Sequence, residues 1–293
     1  MERKDFIKSL AAGALSISSL PAFNKFVNGL GEQDSLMPVL FIGHGSPMNG
    51  IEDNAFSRQW KQMAATIPVP KAVLVISAHW LSRGTRITAM DLPKTIHDFG
   101  GFAKELHEVQ YKVPGSPAVA AETAKLVKST KIEMDHDWGL DHGAWTVVRH
   151  MYPAANIPVL QLSIDATKSN RYHYDLAKEL YALRKKGVLI IGSGNMVHNL
   201  GRVAWHRLNE ESFGYDWALQ ANEQFKNLIS KGDHERLIHY SALGKEALLA
   251  IPTPEHYWPL LYTLGLKGSK DDVSFFNDKA VGGSLTMTSV KFG

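Results

Sequence analysis

The sequence predicts a single α/β domain, a sandwich in which helices cover both faces of a largely parallel, mixed sheet. Two observations predict this fold: short hydrophobic runs recur along the chain, and segments with helical spacing lie between them. A continuous run of apolar residues, with no alternating polar positions, is typical of a strand that is covered on both faces, as in parallel sheets. A length of 293 residues with 44% hydrophobic content is enough for one large domain with its own core.

Four hydrophobic runs are the predicted strands at the centre of the sheet. They are residues 38–42, 72–77, 158–164 and 188–191. The tail at residues 283–290 alternates between apolar and polar side chains, which predicts an additional strand at the edge of the sheet.

Helical spacing of apolar residues predicts the helices between these strands. The predicted helices are residues 54–67, 117–129, 144–152, 171–186, 214–231 and 233–240. Asp53 or Asn54 is the expected N-cap of the first helix, and Pro117 suits the first turn of the second. The connection at residues 81–117 is rich in glycine and proline and has no predicted structure. Long connections of this kind usually serve binding, so we expect it to form a wall of the site.

The N-terminal residues 1–30 are predicted to lie outside the catalytic domain, which we expect at residues 37–293. A basic start precedes the small and apolar run 9–22, which is the order found in export signals. Arg3 and Lys4 resemble the twin-arginine export motif, with Lys4 in place of the second arginine. We therefore expect a periplasmic protein, with an amphipathic N-terminal helix of a cytoplasmic protein as the alternative. No other segment approaches the roughly twenty apolar residues that cross a bilayer.

Composition excludes several kinds of site and partner. The net charge is +3 and the basic residues are scattered, so nothing marks a nucleic-acid groove or a surface for anionic membranes. The absence of cysteine excludes disulfides, thiolate zinc sites, iron–sulfur clusters and a cysteine nucleophile. Any metal ion must therefore be held by histidine, aspartate or glutamate, and the chain has 13 histidines.

Three histidines follow three of the predicted strands. His44, His79 and His198 each come shortly after a hydrophobic run, and the carboxyl ends of parallel strands share one edge of a sheet, where ligands bind. We therefore expect one shared site. His142 lies in a segment at 135–145 that is dense in histidine, aspartate and tryptophan. Two prolines in the last notable loop fix the backbone ahead of Glu255 and His256, which is a rigid way to present a metal ligand.

Five motifs together resemble the class III (LigB-type) extradiol ring-cleavage dioxygenases, and the closest branch is that of the 4,5-DOPA dioxygenases. The resemblance covers residues 37–293 in order. The motifs are Gly43-His44-Gly45-Ser46-Pro47-Met48, Ser77-Ala78-His79-Trp80, Asp141-His142-Gly143-Ala144-Trp145, Gly192-Ser193-Gly194-Asn195-Met196-Val197-His198-Asn199-Leu200 and Thr253-Pro254-Glu255-His256-Tyr257. The family's LigB-like fold is an α/β sandwich around a largely parallel sheet, in agreement with the strand and helix pattern.

The resemblance implies one divalent metal ion per chain, Fe(II) for activity, with Zn(II) expected in purified or crystallised protein. It implies His44 and His79 as metal ligands, with His256 chosen as the third over Glu255. Imidazole and carboxylate both suit ferrous iron.

The family's active-site base corresponds to His198, which the resemblance also allows as a fourth ligand when zinc is bound. Imidazole can take and return protons near neutral pH. His142 corresponds to a second active-site histidine that hydrogen-bonds substrate or oxygen, and capping of the following helix is its alternative role. Trp80 is a candidate for stacking on an aromatic substrate, although core packing is the commoner use of tryptophan.

The expected function is therefore ring opening of a catechol such as DOPA with O2, by an enzyme that is a monomer or a homodimer and binds no nucleic acid. Residues 96–103 depart from the family's pattern, Tyr-Asp-Phe-Tyr-Gly-Phe-Pro, which leaves the ring substrate open. Two alternatives remain. A zinc hydrolase on the same scaffold would need neither oxygen nor iron, and a non-catalytic binding protein would hold no metal tightly.

Overall fold

The computed structural model describes residues 36–208, 210 and 212–293. The export-signal-like segment at residues 1–30 lies outside this range, so its role stays a prediction. Within the described part of the chain, no helix is both long enough and apolar enough to cross a bilayer.

In the described part of the chain, ten strands form two sheets. Their bounds are β1 Val39–Gly43, β2 Ala72–Ser82, β3 Thr85–Thr88, β4 Ile132–Asp135, β5 Val159–Asp165, β6 Val188–Gly194, β7 Val273–Phe276, β8 Ala280–Val281, β9 Leu285–Thr286 and β10 Ser289–Phe292. The main sheet has eight strands in the order β4-β3-β5-β2-β6-β1-β10-β7, and β8 pairs with β9. The four strands β5, β2, β6 and β1 run parallel at its centre. The prediction of a largely parallel, mixed sheet is thereby confirmed.

The register of the parallel strands brings their carboxyl ends to one edge. Gly43 of β1 pairs with Gly194 of β6, and Ser77 of β2 pairs with Ser193 of β6. Every residue of β1 and β6 is buried, which explains why both read as continuous apolar runs. The segments that follow these strands therefore leave the sheet side by side.

The single edge strand predicted at residues 283–290 is divided between β9 and β10, and the predicted edge position is wrong for β10. β10 lies between β1 and β7 and pairs antiparallel with both, and β7 forms the edge. The tail alternates because its polar side chains are hydroxyls that lie buried inside the protein, and Ser284, Thr288 and Ser289 have hydrogen-bond partners there. The Ser289 hydroxyl accepts from the Gly43 N–H at 3.1 Å, and Thr288 donates to Asn222 at 2.7 Å. A polar face made of such residues does not mark an exposed face.

Ten α-helices are described, and most of them were predicted. Their bounds are α1 Ala55–Thr66, α2 Lys104–His107, α3 Pro117–Leu126, α4 His142–Met151, α5 Asn170–Glu179, α6 Ala182–Lys185, α7 Asp216–Lys231, α8 His234–Ile238, α9 Lys245–Ala250 and α10 Trp258–Gly265. Asn54 is the N-cap of α1, in a capping box with Ser57. The helix predicted at 171–186 is split into α5 and α6, because the N–H groups of Leu180 and Tyr181 bond three residues back.

Helices cover both faces of the sheet, as predicted. On one face, Trp60 of α1 and Trp145 of α4 join a core with alternate residues of β1, β2 and β6. On the other face, α10 packs against β6 and α5. A Cβ atom at Gly192 would lie 2.4 Å from the carbonyl oxygen of Pro259, so a glycine is needed where α10 crosses β6. This packing sets the position of the loop that precedes α10.

Candidate metal centre

Five histidine rings meet at the carboxyl edge of the sheet. The rings of His44, His79 and His256 have centroids 5.0 to 5.4 Å apart. His142 lies against His79 at 3.9 Å, and His198 lies against His256 at 3.6 Å. The structure therefore brings together all five histidines that the sequence selected, from five separate segments of the chain.

His44 directly follows β1, and its backbone fixes it to β6. Its N–H donates to the Gly194 carbonyl at 3.1 Å, which continues the strand pairing by one residue. Its Nδ1 lies 3.0 Å from the Ser193 hydroxyl, which donates its own proton to the Gly143 carbonyl at 2.6 Å. Because a serine has one proton to donate, it must accept from His44 Nδ1–H. The Nε2 atom of His44 thus carries a lone pair, and it faces His79 Nε2 at 3.1 Å.

His79 lies in an irregular part of β2. The pairing of β2 with β5 passes from Ile76↔Leu162 to Leu81↔Ile164, so β2 holds three extra residues between these pairs. Bulges of this kind redirect side chains and are common beside active sites. Gly143 makes room for the ring, since a Cβ atom there would lie 2.9 Å from His79 Cδ2. The irregular stretch is what points this histidine into the cluster.

His256 belongs to the loop ahead of α10, and its main chain is fixed to the end of β6. Its carbonyl accepts from the Asn195 N–H at 2.9 Å, and a Cβ atom at Gly194 would lie 2.2 Å from that oxygen. Nitrogen atoms of His44, His79 and His256 all lie within 4.8 Å of one another. Glu255 is not in this group: its carboxylate lies 3.3 Å from His256 Nδ1 and groups with His198 instead.

His198 follows β6 and stacks on His256 with an angle of 7° between the rings. Its N–H donates to the Ala250 carbonyl at 2.8 Å. Burial lowers the pKa of His198 to about 4, against the opposing effect of Glu255. The imidazole is therefore neutral at pH 7 and able to accept a proton.

His142 is the first residue of α4, two residues before the predicted start of that helix. Asp141 is the N-cap, so the alternative that His142 caps the helix is wrong. The buried carboxylate of Asp141 accepts from the Ala144 N–H, from the Ser77 hydroxyl and from the Gln161 amide, at 2.7 to 3.1 Å. It thereby fixes the start of α4 to strands β2 and β5.

Asp98 is a site residue that sequence reasoning missed. Its carboxylate accepts from both the N–H and the Nδ1 of His142, at 2.8 and 2.9 Å, and lies 3.5 Å from His79 Nδ1. Burial alone would raise the pKa of Asp98, but the hydrogen bonds from His142 lower it below its usual value. The available signal was that Asp98-Phe99 keeps the Asp-Phe pair of the family's pattern within a segment that otherwise departs from it.

Trp80 lies apart from the histidine rings. It stacks on Trp138 with ring centroids 5.5 Å apart, and both line a surface cavity of about 390 Å³ with Arg83 and Arg86. Among the described residues, no ring contact joins Trp80 to the five histidines. The predicted contact between Trp80 and the substrate stays a prediction.

The three grouped histidines are suited to hold a cation. Burial, followed by repulsion from neighbouring histidines, lowers the pKa of His44 and His256 well below 6.5, and burial and His142 lower that of His79 to about 3. All three are neutral at pH 7, and neutral imidazole is the form that binds metal ions. Their Nδ1 atoms face a hydroxyl or a carboxylate, as metal-binding histidines usually do.

Comparisons with known proteins show which family the chain belongs to. Residues 38–292 match the family model described as the catalytic LigB subunit of aromatic ring-opening dioxygenase. The 4,5-DOPA dioxygenase extradiol of Escherichia coli K12 is 46% identical over 262 residues, covering 88% of this chain and 95% of the relative. The protein of that name from Beta vulgaris is 34% identical over 271 residues, covering 90% and 99%. The crystal structure of an uncharacterised Escherichia coli K12 protein superposes with a TM-score of 0.75 at 40% identity, covering 88% of this chain and all of that one. The resemblance seen in the sequence is thereby confirmed.

Proposed function

We propose that this chain, which belongs to the family of catalytic LigB subunits of aromatic ring-opening dioxygenases and is an extradiol dioxygenase, opens the ring of a small catechol. The proposed substrate is DOPA or a similar catechol, and the reaction uses one divalent metal ion per chain. The observation that carries the proposal is the group of three buried or largely buried histidines whose nitrogen atoms lie within 4.8 Å of one another. The relatives with dioxygenase names favour this reading over the zinc hydrolase and the binding protein.

We assign the metal ion to His44, His79 and His256. The three neutral imidazoles fit a divalent ion such as Fe(II) or Zn(II), and a hydroxyl or carboxylate orients each of them. The grouping supports the choice of His256 over Glu255, because the Glu255 carboxylate groups with His198 and His256 and not with His44 and His79. When bound, a ferrous ion supplies the redox chemistry between catechol and dioxygen.

The neighbouring histidines handle protons. His198 is neutral, buried and stacked on a metal ligand, so it can take a proton from a catechol hydroxyl beside the ion. It groups with Glu255 and His256 and not with His44 and His79, which supports the base over the ligand role. His142 lies against His79 with ring centroids 3.9 Å apart, which supports a role in hydrogen-bonding the substrate.

Oxygen uptake tests the proposal. Anaerobically Fe(II)-loaded protein is given L-DOPA and then a panel of small catechols, and oxygen consumption and new absorbance are recorded. We expect uptake with a yellow product, lowered about 10²- to 10⁴-fold in His198→Ala, since a general base contributes that much. His206→Ala is the matched control, because His206 is exposed and belongs to none of the ring contacts above. No uptake with any catechol, despite one tightly bound metal ion per chain, would overturn the proposal.

A further inference from the structure

Asp98 hydrogen-bonds His142, the histidine to which a substrate contact is assigned above, and we propose that Asp98 is a positioning residue for ring cleavage. The carboxylate fixes His142 as the Nδ1–H tautomer, so that Nε2 offers its lone pair to a catechol hydroxyl. The substrate part of this inference rests on the proposed function, whereas the tautomer follows from the contacts of Asp98 alone.

The hydrogen bonds of Asp98 determine the tautomer. One carboxylate oxygen accepts from the main-chain N–H of His142 at 2.8 Å, and the other lies 2.9 Å from Nδ1. An ionised carboxylate can only accept, so the proton between them belongs to Nδ1. The other ring nitrogen, Nε2, is then the unprotonated one.

The same two bonds fix the direction of the ring. The N–H of His142 belongs to the first turn of α4, where no helical carbonyl can accept it, and a carboxylate there is also favoured by the helix dipole. Because one side chain binds both the main chain and the ring of His142, the ring cannot rotate without losing a charge-assisted hydrogen bond. Phe99 packs edge-on against the same ring at 5.6 Å and restricts it further.

The fixed ring lies beside the proposed metal ligands. Its centroid is 3.9 Å from that of His79 and 5.6 Å from that of His44. A catechol bound at these ligands would therefore meet a hydrogen-bond acceptor at His142. Asp98 also lies 3.5 Å from His79 Nδ1, but that distance is long for a hydrogen bond, so His142 is its main partner.

The tautomer can be measured in the unmodified protein. Long-range ¹H–¹⁵N NMR of the full-length chain, metal-free and loaded with diamagnetic Zn(II), distinguishes Nδ1–H from Nε2–H, and His142→Gln assigns the signal. We expect the Nδ1–H form of His142 in both samples. The Nε2–H form would overturn the proposal, and this measurement needs neither turnover nor a folded Asp98 variant.

Asp98→Asn tests the consequence for catalysis. The amide keeps the shape but presents an N–H group, so His142 should change to the Nε2–H tautomer. In serine proteases this replacement at the aspartate that orients the histidine lowers kcat by about 10⁴-fold. We expect a loss of at least about 10²-fold in kcat here, with KM changed less than about threefold, because the interaction acts in the transition state. Asp91→Asn, an exposed aspartate of the same connection, is the matched control and should keep full activity.

A double variant separates this role from a general effect on the metal ion. In a His142→Ala background, Asp98→Asn should cost no further activity, because its partner is already absent. A further tenfold loss, or an Asp98→Asn protein with changed tautomer and unchanged kcat, would overturn the proposal. If the parent protein cleaves no catechol at all, the proposed function fails, and the NMR result still decides whether Asp98 sets the tautomer.

Discussion

The two ends of the central strands differ in whether their buried polar groups have hydrogen-bonding partners within the protein. At the amino end, the fully buried Arg184 donates to the carbonyls of Met37 and Leu266 at 2.8 Å and forms two bonds with Asp271. At the carboxyl end, imidazole nitrogens of the buried His44 and the partly buried His79 face each other at 3.1 Å. A buried polar side chain with a structural role is normally hydrogen-bonded to other groups of the protein. The histidine end instead directs several acceptors to one point, which is what a cation requires.

This contrast predicts that changes at the histidine end remove activity, whereas changes at the arginine end remove stability. The largest effect should come from His44→Gln. Loss of a metal ligand should lower turnover by at least about 10³-fold, because bound metal supplies several kcal/mol of transition-state stabilisation. Metal analysis and oxygen uptake measure the loss, and circular dichroism should show an unchanged fold. Full metal content in this variant would contradict the assignment.

Asp271→Ala should give the opposite result. It leaves Arg184 buried without its counter-charge, and breaking a buried pair in this way costs about 3–5 kcal/mol in the free energy of unfolding. Denaturant unfolding measures this cost, and the metal affinity of the folded fraction should not change. Asp272→Ala is the matched control, because its side chain is exposed. Equal stability of the two variants would show that the pair is not needed.

The two ends should also differ in their response to acid. The pKa values of His79 and His198 fall to about 3 and about 4 in the folded protein, so the unfolded chain binds more protons below pH 6.5. Above pH 6.5 the two histidines do not reduce the free energy of unfolding. As the pH falls from 6.5 to about 5, each of them lowers it by about 2 kcal/mol.

Asp271 contributes in a lower range of pH. Burial alone would raise its pKa, but the hydrogen bonds from Arg184 and Gly268 lower it overall, so its contribution is lost only below about pH 4. Denaturant unfolding of the metal-free protein at pH 7 and pH 5 tests this difference. Equal free energies at both pH values would contradict the lowered histidine pKa values, and His79→Gln should flatten the dependence.

The smallest predicted effect distinguishes two neighbouring residues. Glu255→Gln should weaken metal binding about 10- to 100-fold, as expected for a residue that orients a ligand, whereas His256→Gln should abolish tight binding. Competition with a chromogenic chelator measures both affinities. The reverse order would make Glu255 the third ligand.

Much of the site could be predicted because its histidines follow strands and loops that have a recognisable sequence pattern. His44 and His198 come after fully buried strands, and the two prolines before Glu255 mark the last loop, so local pattern and sheet topology together place them. The bulge that redirects His79 left no trace in the hydrophobic pattern, but the position of His79 directly after the hydrophobic run at residues 72–77 was sufficient.

Asp98 and the outer strands could not be predicted in the same way. Asp98 lies in an irregular connection, whose path depends on tertiary contacts with α4 and not on a local repeat. The short strands β3 and β4 carry charged residues on exposed positions and so lack an apolar run. The hydroxyls of the C-terminal strand gave a polar appearance to a strand that lies inside the sheet.

The most direct test of metal-dependent ring cleavage at the histidine centre is turnover under ¹⁸O2. Fe(II)-loaded protein and His44→Gln are each given L-DOPA, or the best catechol of the panel, and the products are analysed by mass spectrometry. We predict a ring-opened product that carries both labelled oxygen atoms with the parent protein, and no such product with the variant. A product without label, or labelled product at full rate from His44→Gln, would contradict the account.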